Sequence, residues 1–401
     1  MNKVIDILKI SNYDRFKCTA DKCKFTCCGG WDVSIDNDTY NKWEKENDKA
    51  GFILDNVKIN KCGSKTGYFI NKENHEACPL LDKQGLCQVV KSIGEEYLSS
   101  TCHRFPRIEN IFEDKKELSL SCACPEVVEL ISNMNGKINI ISENDTNLKN
   151  NLLEIKIREA LVNIVQQENF SLEEKLMVSF QMLLNILENE NFGEDSSLEE
   201  LEKYKYREHI QRLINMHKKM ESNINDSVEE INYLFLDIIK NYKEVPNFEI
   251  LLKDISGFAE EIKVENLSVE WHDYKNLFEQ YNMLNENCIV SDILSSCISN
   301  DIEEMAISFE MIILEYLLVR YAVFLKYCMN KNKEARFADA LWVSDSHQLI
   351  DSGSLLKDIK DYIVAFSRII GNNTEAVKEF LKDGFGDDVL EMEYLCFITM
   401  F

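Results

Sequence analysis

Ten of the fourteen cysteines in this 401-residue chain lie between Cys18 and Cys124. None lies between positions 125 and 287, and Cys288, Cys297, Cys328 and Cys396 are scattered beyond. Thiols this dense must be cross-linked, bound to metal, or buried one by one as small hydrophobes. Cross-linking needs an oxidising compartment. The opening MNKVIDILKISNYDRF has no apolar stretch of about 7–15 residues and no small-residue cleavage site, so a cytoplasmic chain with reduced thiols is expected. Dense cysteine in such a chain points to metal. The four late cysteines sit on apolar helical faces and read as core residues.

Charge divides the chain the same way. Net charge is −25, of which residues 1–130 carry −2 and the remainder −23. So acidic a chain lacks the basic footprint that nucleic acid requires. With 14 Gly and 4 Pro, helix breakers are scarce, and a mainly α protein is expected: a small Cys-rich α+β metal-binding module over 1–135, then a large acidic, all-helical domain over 136–401. In the first part, 67–78 and 107–122 read as hairpins, helices start at Asp38 and near Ser92, Pro125 opens a helix, and 137–141 reads as a strand. From 150 onward apolar residues recur at helical spacing over 151–168, 171–190, 197–221, 226–243, 247–263, 269–287, 301–329, 335–346, 354–370, 373–383 and 388–399, with a capping box at Ser171 and Glu174. The most apolar stretch, 305–327, is interrupted by Glu310, Glu315, Arg320 and Lys326, and reads as a core helix rather than a membrane span.

The segment FKCTADKCKFTCCGGWDVSID places Cys18, Cys23, Cys27 and Cys28 within eleven residues. These spacings let a short loop present several sulfurs to one centre. Cys62, Cys78, Cys87, Cys102, Cys122 and Cys124 follow. Structural zinc and an iron–sulfur cluster both suit such thiols, and spacing does not separate them. Neighbouring side chains tend to point apart, so one of Cys27 and Cys28 is expected outside the centre, or each faces a different one. Gly29 and Gly30 would let backbone amides approach a bound group, and Trp31 would shield it from solvent. Arg104 and Arg107 suit a carboxylate or ribose, or the balancing of cluster charge; surface pairing is the ordinary alternative.

The run F-x-C-x4-C-x3-CC-x-GW-x-x-x-ID from Phe16 to Asp36 resembles the start of the flagellin lysine-N-methylase family, which overlaps a broader zinc- or iron-chelating cysteine-rich group. The resemblance continues in order through CPLLDKQGLC at 78–87, GEEYLSSTCHRFPR at 94–107 and LSLSC at 118–122. Phe105 stands where that family usually has tyrosine, and SCACPE replaces its SC-x-E, so either Cys122 or Cys124 holds the usual ligand position. The resemblance implies methyl transfer from S-adenosylmethionine to lysine ε-amines of flagellin or a similar surface-fibre protein. It also implies an iron–sulfur cluster, most simply 4Fe-4S with zinc as the alternative. Its ligand candidates are Cys18, Cys23, Cys27, Cys28, Cys78, Cys87, Cys102 and Cys122 or Cys124.

No glycine-rich turn follows a first strand, so an S-adenosylmethionine site of the ordinary α/β kind is not expected. The glycines of 384–388 read as a helix–helix turn, and Trp271-His272-Asp273 and Ser344–His347 are residue types without triad geometry. A methyl-accepting lysine must be neutral. Since an adjacent carboxylate raises its pKa, a tyrosine, amide or apolar wall is the expected pocket. Two other readings remain open: a non-catalytic chelating protein with a partner-binding helical face, and a cluster-bearing redox protein.

Overall fold

The structure is a computed structural model that describes residues 6–31, 33–62, 65–72, 77–112, 115–142, 152–189, 193–219, 223–341, 352–372, 377–379 and 392–399. Seven strands are described: β1 (Asp6–Ile10), β2 (Ser34–Ile35), β3 (Val57–Cys62), β4 (Lys65–Ile70), β5 (Arg107–Ile111), β6 (Lys115–Leu120) and β7 (Ile140–Ser142). They form two sheets, in the orders β5-β6-β1-β7 and β2-β4-β3. The second expected hairpin is present, with Arg107 opposite Leu120 and Ile111 opposite Lys116. The first is displaced. Strand 65–70 pairs backward with β3, Val57 opposite Ile70, rather than forward toward Cys78. Val57 and Ile59 offer alternating apolar partners, whereas the chain after Ile70 carries Lys72, whose ammonium is drawn inward to the Trp31 carbonyl at 2.9 Å. β1 runs parallel to β6, Asp6 opposite Lys115, and antiparallel to β7.

Five helices accompany these strands: α1 (Asn37–Lys45), α2 (Asn47–Leu54), α3 (Gln88–Ser92), α4 (Ser100–Arg104) and α5 (Pro125–Ser132). Asp36, not Asp38, caps α1, accepting from the Thr39 amide at 2.9 Å. The short helix near Ser92 ends there rather than starting. Pro125 opens α5, where a missing N–H costs nothing.

The remainder is helical: α6 (Leu153–Val165), α7 (Leu172–Asn189), α8 (Glu194–Lys203), α9 (Arg207–His217), α10 (Ile224–Ile239), α11 (Pro246–Glu261), α12 (Val264–Phe278), α13 (Asn282–Ser296), α14 (Ile302–Leu341), α15 (Ser352–Phe366) and α16 (Met392–Thr399). The capping box forms, with the Ser171 amide on Glu174 at 2.8 Å and the Glu174 amide on Ser171 at 3.2 Å. Periodicity alone misplaced three boundaries. The 197–221 pattern breaks at Tyr204, whose buried ring bonds Asn185 at 2.9 Å. The 269–287 pattern spans a 3-10 turn at Glu279–Tyr281. The patterns at 301–329 and 335–346 belong to one helix, since no Gly or Pro separates them. The 384–388 turn, Ser344–His347 and most of 373–391 lie outside the described residues, as does the Cys62 side chain.

No described helix is long and apolar enough to cross a membrane. Two of the charges interrupting α14, Glu315 and Arg320, are met by protein. Arg320 reaches Glu173 of α7 at 3.3 Å, and Tyr316 donates to the same carboxylate at 2.6 Å. Buried side chains fall into two clusters. The larger joins β1, β6 and α5 to the helices that follow, pinned by a buried ion pair between Arg158 of α6 and Glu117 of β6 at 2.5 Å. The smaller gathers Trp31, Trp43, Ile53, Leu80 and Tyr97 beneath the β2-β4-β3 sheet. Phe105 packs against both.

Candidate functional site

The thiol-bearing loop 18–31 lies against the helical half by close backbone contact. A Cβ on Gly29 would sit 1.8 Å from Asn247 Nδ2, and Gly30, at φ +84°, turns its backbone onto the Phe248 ring. Only glycine meets both demands there. Trp31 donates from Nε1 to the Cys27 carbonyl at 2.9 Å, with Phe105 5.4 Å away and the Lys72 ammonium over its ring at 5.7 Å. It is thereby held against the backbone of the thiol loop. Arg104 is exposed and bonds the Ser100 carbonyl at 3.3 Å, while Arg107 stacks on Phe16 at 4.9 Å.

The thiols sort into two neighbourhoods. Near Lys72, the Cys78 amide bonds the Cys28 carbonyl at 2.7 Å, and burial first, then negative charge on Cys28, raises both Cys78 and Cys102. Cys87 acts on Cys102 in the same way. Near α5, burial and, less strongly, negative charge on Cys18 raise Cys23, and burial and, less strongly, negative charge on Cys23 raise Cys124. Thr19 fastens this second group to α5 by donating to Glu126 at 3.1 Å. Cys124 faces it, whereas Cys122 points into the core toward the Cys288 carbonyl at 3.9 Å.

Cys27 and Cys28 act on each other more strongly than any other group does, and hydrogen bonding within the pair favours one thiolate, lowering Cys28 and raising Cys27. Burial pushes Cys78 up to about 12 and Cys124 to about 11. In donor chemistry these all-sulfur neighbourhoods fit an iron–sulfur or zinc centre. As the side chains stand, no three described His, Cys, Asp or Glu converge tightly enough to hold one ion.

The residue that knits the region is Arg368, which the sequence reading missed. Its fully buried guanidinium donates to the carbonyls of Phe25 (2.8 Å), Thr26 (2.7 Å), Gly29 (3.2 Å) and Ala123 (2.9 Å), and stacks on Phe25 at 4.3 Å. Burial lowers it to about 10, with the thiolates around it acting in the opposite direction. Arg368 sits in a π-helical turn, Ser367–Gly371, that closes α15. Such turns are rare and recur at functional sites.

The residue before it faces another way. Ser367 donates to Glu315 of α14 inside a cavity of about 310 Å³ between α13, α14 and the turn. Asp292 and Ser296 of α13, Met311 and Ile312 of α14, and Gly371 also line it. Burial pushes Glu315 up to about 7. Asp292 is raised by burial and then by Glu315. One π-turn thus joins the thiol loop and an acidic cavity. The available signal for the cavity was Glu315, one of the four charges on the apolar 305–327 stretch.

A family model described as the FliB lysine N-methylase C-terminal domain matches residues 158–398. Over 134 residues the chain is 33% identical to the lysine-N-methylase of Salmonella typhimurium strain LT2, covering 33% of each protein. It is 32% identical over the same length to the lysine-N-methylase of Salmonella choleraesuis strain SC-B67, again covering 33% of each. It is 33% identical over 134 residues to the flagellar biosynthetic protein FliU of Salmonella muenchen, covering 33% of this chain and 79% of that one. The matched stretch thus spans about a third of the two curated methylases. No solved structure matches. With the family match running from α6 to α16, over more than half of its length, the chain belongs to the FliB lysine N-methylase family.

Proposed function

We propose that this protein transfers methyl groups from S-adenosylmethionine to lysine ε-amines of flagellin or a similar surface-fibre protein, aided by a thiolate-bound iron–sulfur cluster. The observation that carries the reading is the family match over 158–398, with relatives whose names are lysine-N-methylase and a flagellar biosynthetic protein. Two thiol neighbourhoods of the required donor type support the metal. Bound there, a cluster would supply iron able to ligate the amino and carboxylate groups of a methionine moiety. The chain's own residues hold the surroundings. Arg368 holds three carbonyls of the loop and that of Ala123, Trp31 bonds the Cys27 carbonyl, and hydrogen bonding from Cys27, followed by the Lys72 ammonium, favours a thiolate at Cys28. The charge of −23 beyond residue 130 favours encounter with a lysine-bearing partner.

The test is anaerobic purification of the full chain, then iron, zinc and acid-labile sulfide analysis, then incubation with S-adenosylmethionine and flagellin. Methyl-lysine in flagellin, read by mass spectrometry and lost on removal of the metal, is the expected result. Stoichiometric zinc without sulfide, with no saturable S-adenosylmethionine binding, would replace the methylase by a chelating protein.

A further inference from the structure

The cavity between α13, α14 and the π-turn has a use within that methylase reading, on which this inference rests. Its residues include two carboxylates, Asp292 and Glu315, and no Lys, Arg or His. A ligand chosen by such a wall is a cation. The volume, about 310 Å³, equals roughly ten waters at ~30 Å³ each. That is the lower end of the range for small-molecule sites. It suits a four-methylene stem with an ammonium better than an intact nucleoside cofactor. The mouth is hydrophilic, with Ser296 exposed, while Met311, Ile312 and Glu315 are buried. Glu315 is positioned by the Ser367 hydroxyl, and a Cβ on Gly371 would come within 3.3 Å of its second oxygen.

We infer that this cavity is the acceptor pocket: a lysine side chain enters past Ser296, lays its methylenes on Met311 and Ile312, and gives its ammonium proton to Glu315. The proton passes from nitrogen to the carboxylate, leaving a neutral amine and a neutral acid. The freed lone pair then forms the N–C bond to the methyl of a sulfonium donor as the C–S bond breaks, its electron pair returning to sulfur. A neutral wall was the expected pocket, because a carboxylate ordinarily holds lysine charged. Enclosure reverses that effect, since desolvation raises an acid's pKa and lowers an amine's. The titratable groups facing Glu315 are Asp292 from α13 and Cys122 after β6. From the π-turn it meets Ser367 and Gly371, while the Arg368 guanidinium is turned to the thiol loop.

The test uses the full chain and Nα-acetyl-lysine methylamide as probe, by calorimetry, beside flagellin methylation. Two variants are compared, Glu315→Gln and, at the exposed mouth, Ser296→Trp, each checked for a native circular dichroism spectrum. The expected result is a loss of at least tenfold in probe affinity in both. Methylation by wild type should rise with pH through about 7, and Glu315→Gln should lose that rise. Wild-type affinity in both variants, or an unchanged pH profile in active Glu315→Gln, overturns the pocket while leaving the methylase reading standing. Loss of S-adenosylmethionine binding instead of probe binding also overturns it, assigning the cavity to the donor. Probe binding that needs Glu315, in a protein that methylates nothing, upholds the pocket and removes the methylase.

Discussion

Replacing Arg368 by alanine should release the thiol loop without unfolding the protein. Four carbonyls share this guanidinium. A hydrogen bond from a charged donor is worth roughly 1.5–3 kcal/mol net, so the low end for four is about 6 kcal/mol. Burial, which lowers Arg368 to about 10, takes back about 3 kcal/mol at about 1.36 kcal/mol per pH unit. The remaining ~3 kcal/mol raises the population of the locally open loop about a hundredfold. The assay is thiol labelling of metal-free protein, resolved by peptide mass spectrometry. Cys124, 7% exposed, should label about a hundredfold faster. Cys18, already exposed, should not change, and Cys288, 4% exposed within the helical core, reports global unfolding. Lysine, a point charge without the planar fork, should recover only part of the protection. A change below tenfold at Cys124, or an equal rise at Cys288, would refute the reasoning.

Two further substitutions probe how the module is built and seated. Gly30→Ala puts a Cβ 2.6 Å from Phe248 at φ +84°, and should cost about 2–4 kcal/mol; adding Phe248→Ala should remove part of that cost in a double-mutant cycle, and strict additivity would contradict the contact. Burial pushes the Asp36 carboxyl up, but amides of Ser100 and Thr39 at 2.9 Å outweigh it and hold it below the ordinary carboxylate range. A depressed folded pKa contributes stability that is present above about pH 4 and lost as pH falls; Asp36→Ala should therefore lower urea stability by about 1 kcal/mol at pH 7 and by less near pH 3, and a pH-independent difference would count against it.

What could be read beforehand was local. The Ser171–Glu174 box and the 107–120 hairpin are written within a few residues of each other, and so is the Pro125 helix start. The start expected at Asp38 fell two residues late because Asp36, the cap, is also held by the Ser100 amide, 64 residues away. The β3–β4 pairing was missed because 67–70 alternates equally well toward either side, and the apolar partners Val57 and Ile59, with Lys72 drawn inward, favour the backward pairing. The cavity was further from reach. Asp292, Glu315 and Ser367 come from three separate segments, and each alone reads as an ordinary helix residue. Arg368 looked like one more charge on a C-terminal helix, because nothing local marks a side chain whose partners lie more than 240 residues earlier.

The chain leaves the four-stranded sheet at Ile10 and re-enters it at Arg107. Both points lie at the same end of β6, beside Leu118–Leu120. Two strand spacings, about 10 Å, separate them. Residues 11–106, with eight of the fourteen thiols, are therefore a ring drawn shut at its neck by strand pairing alone. Closing a ring of this length costs about 4 kcal/mol plus a constant, and the sheet meets that cost whether or not anything is bound inside. Any group that bound at these thiols would have only to order a ring that is already closed.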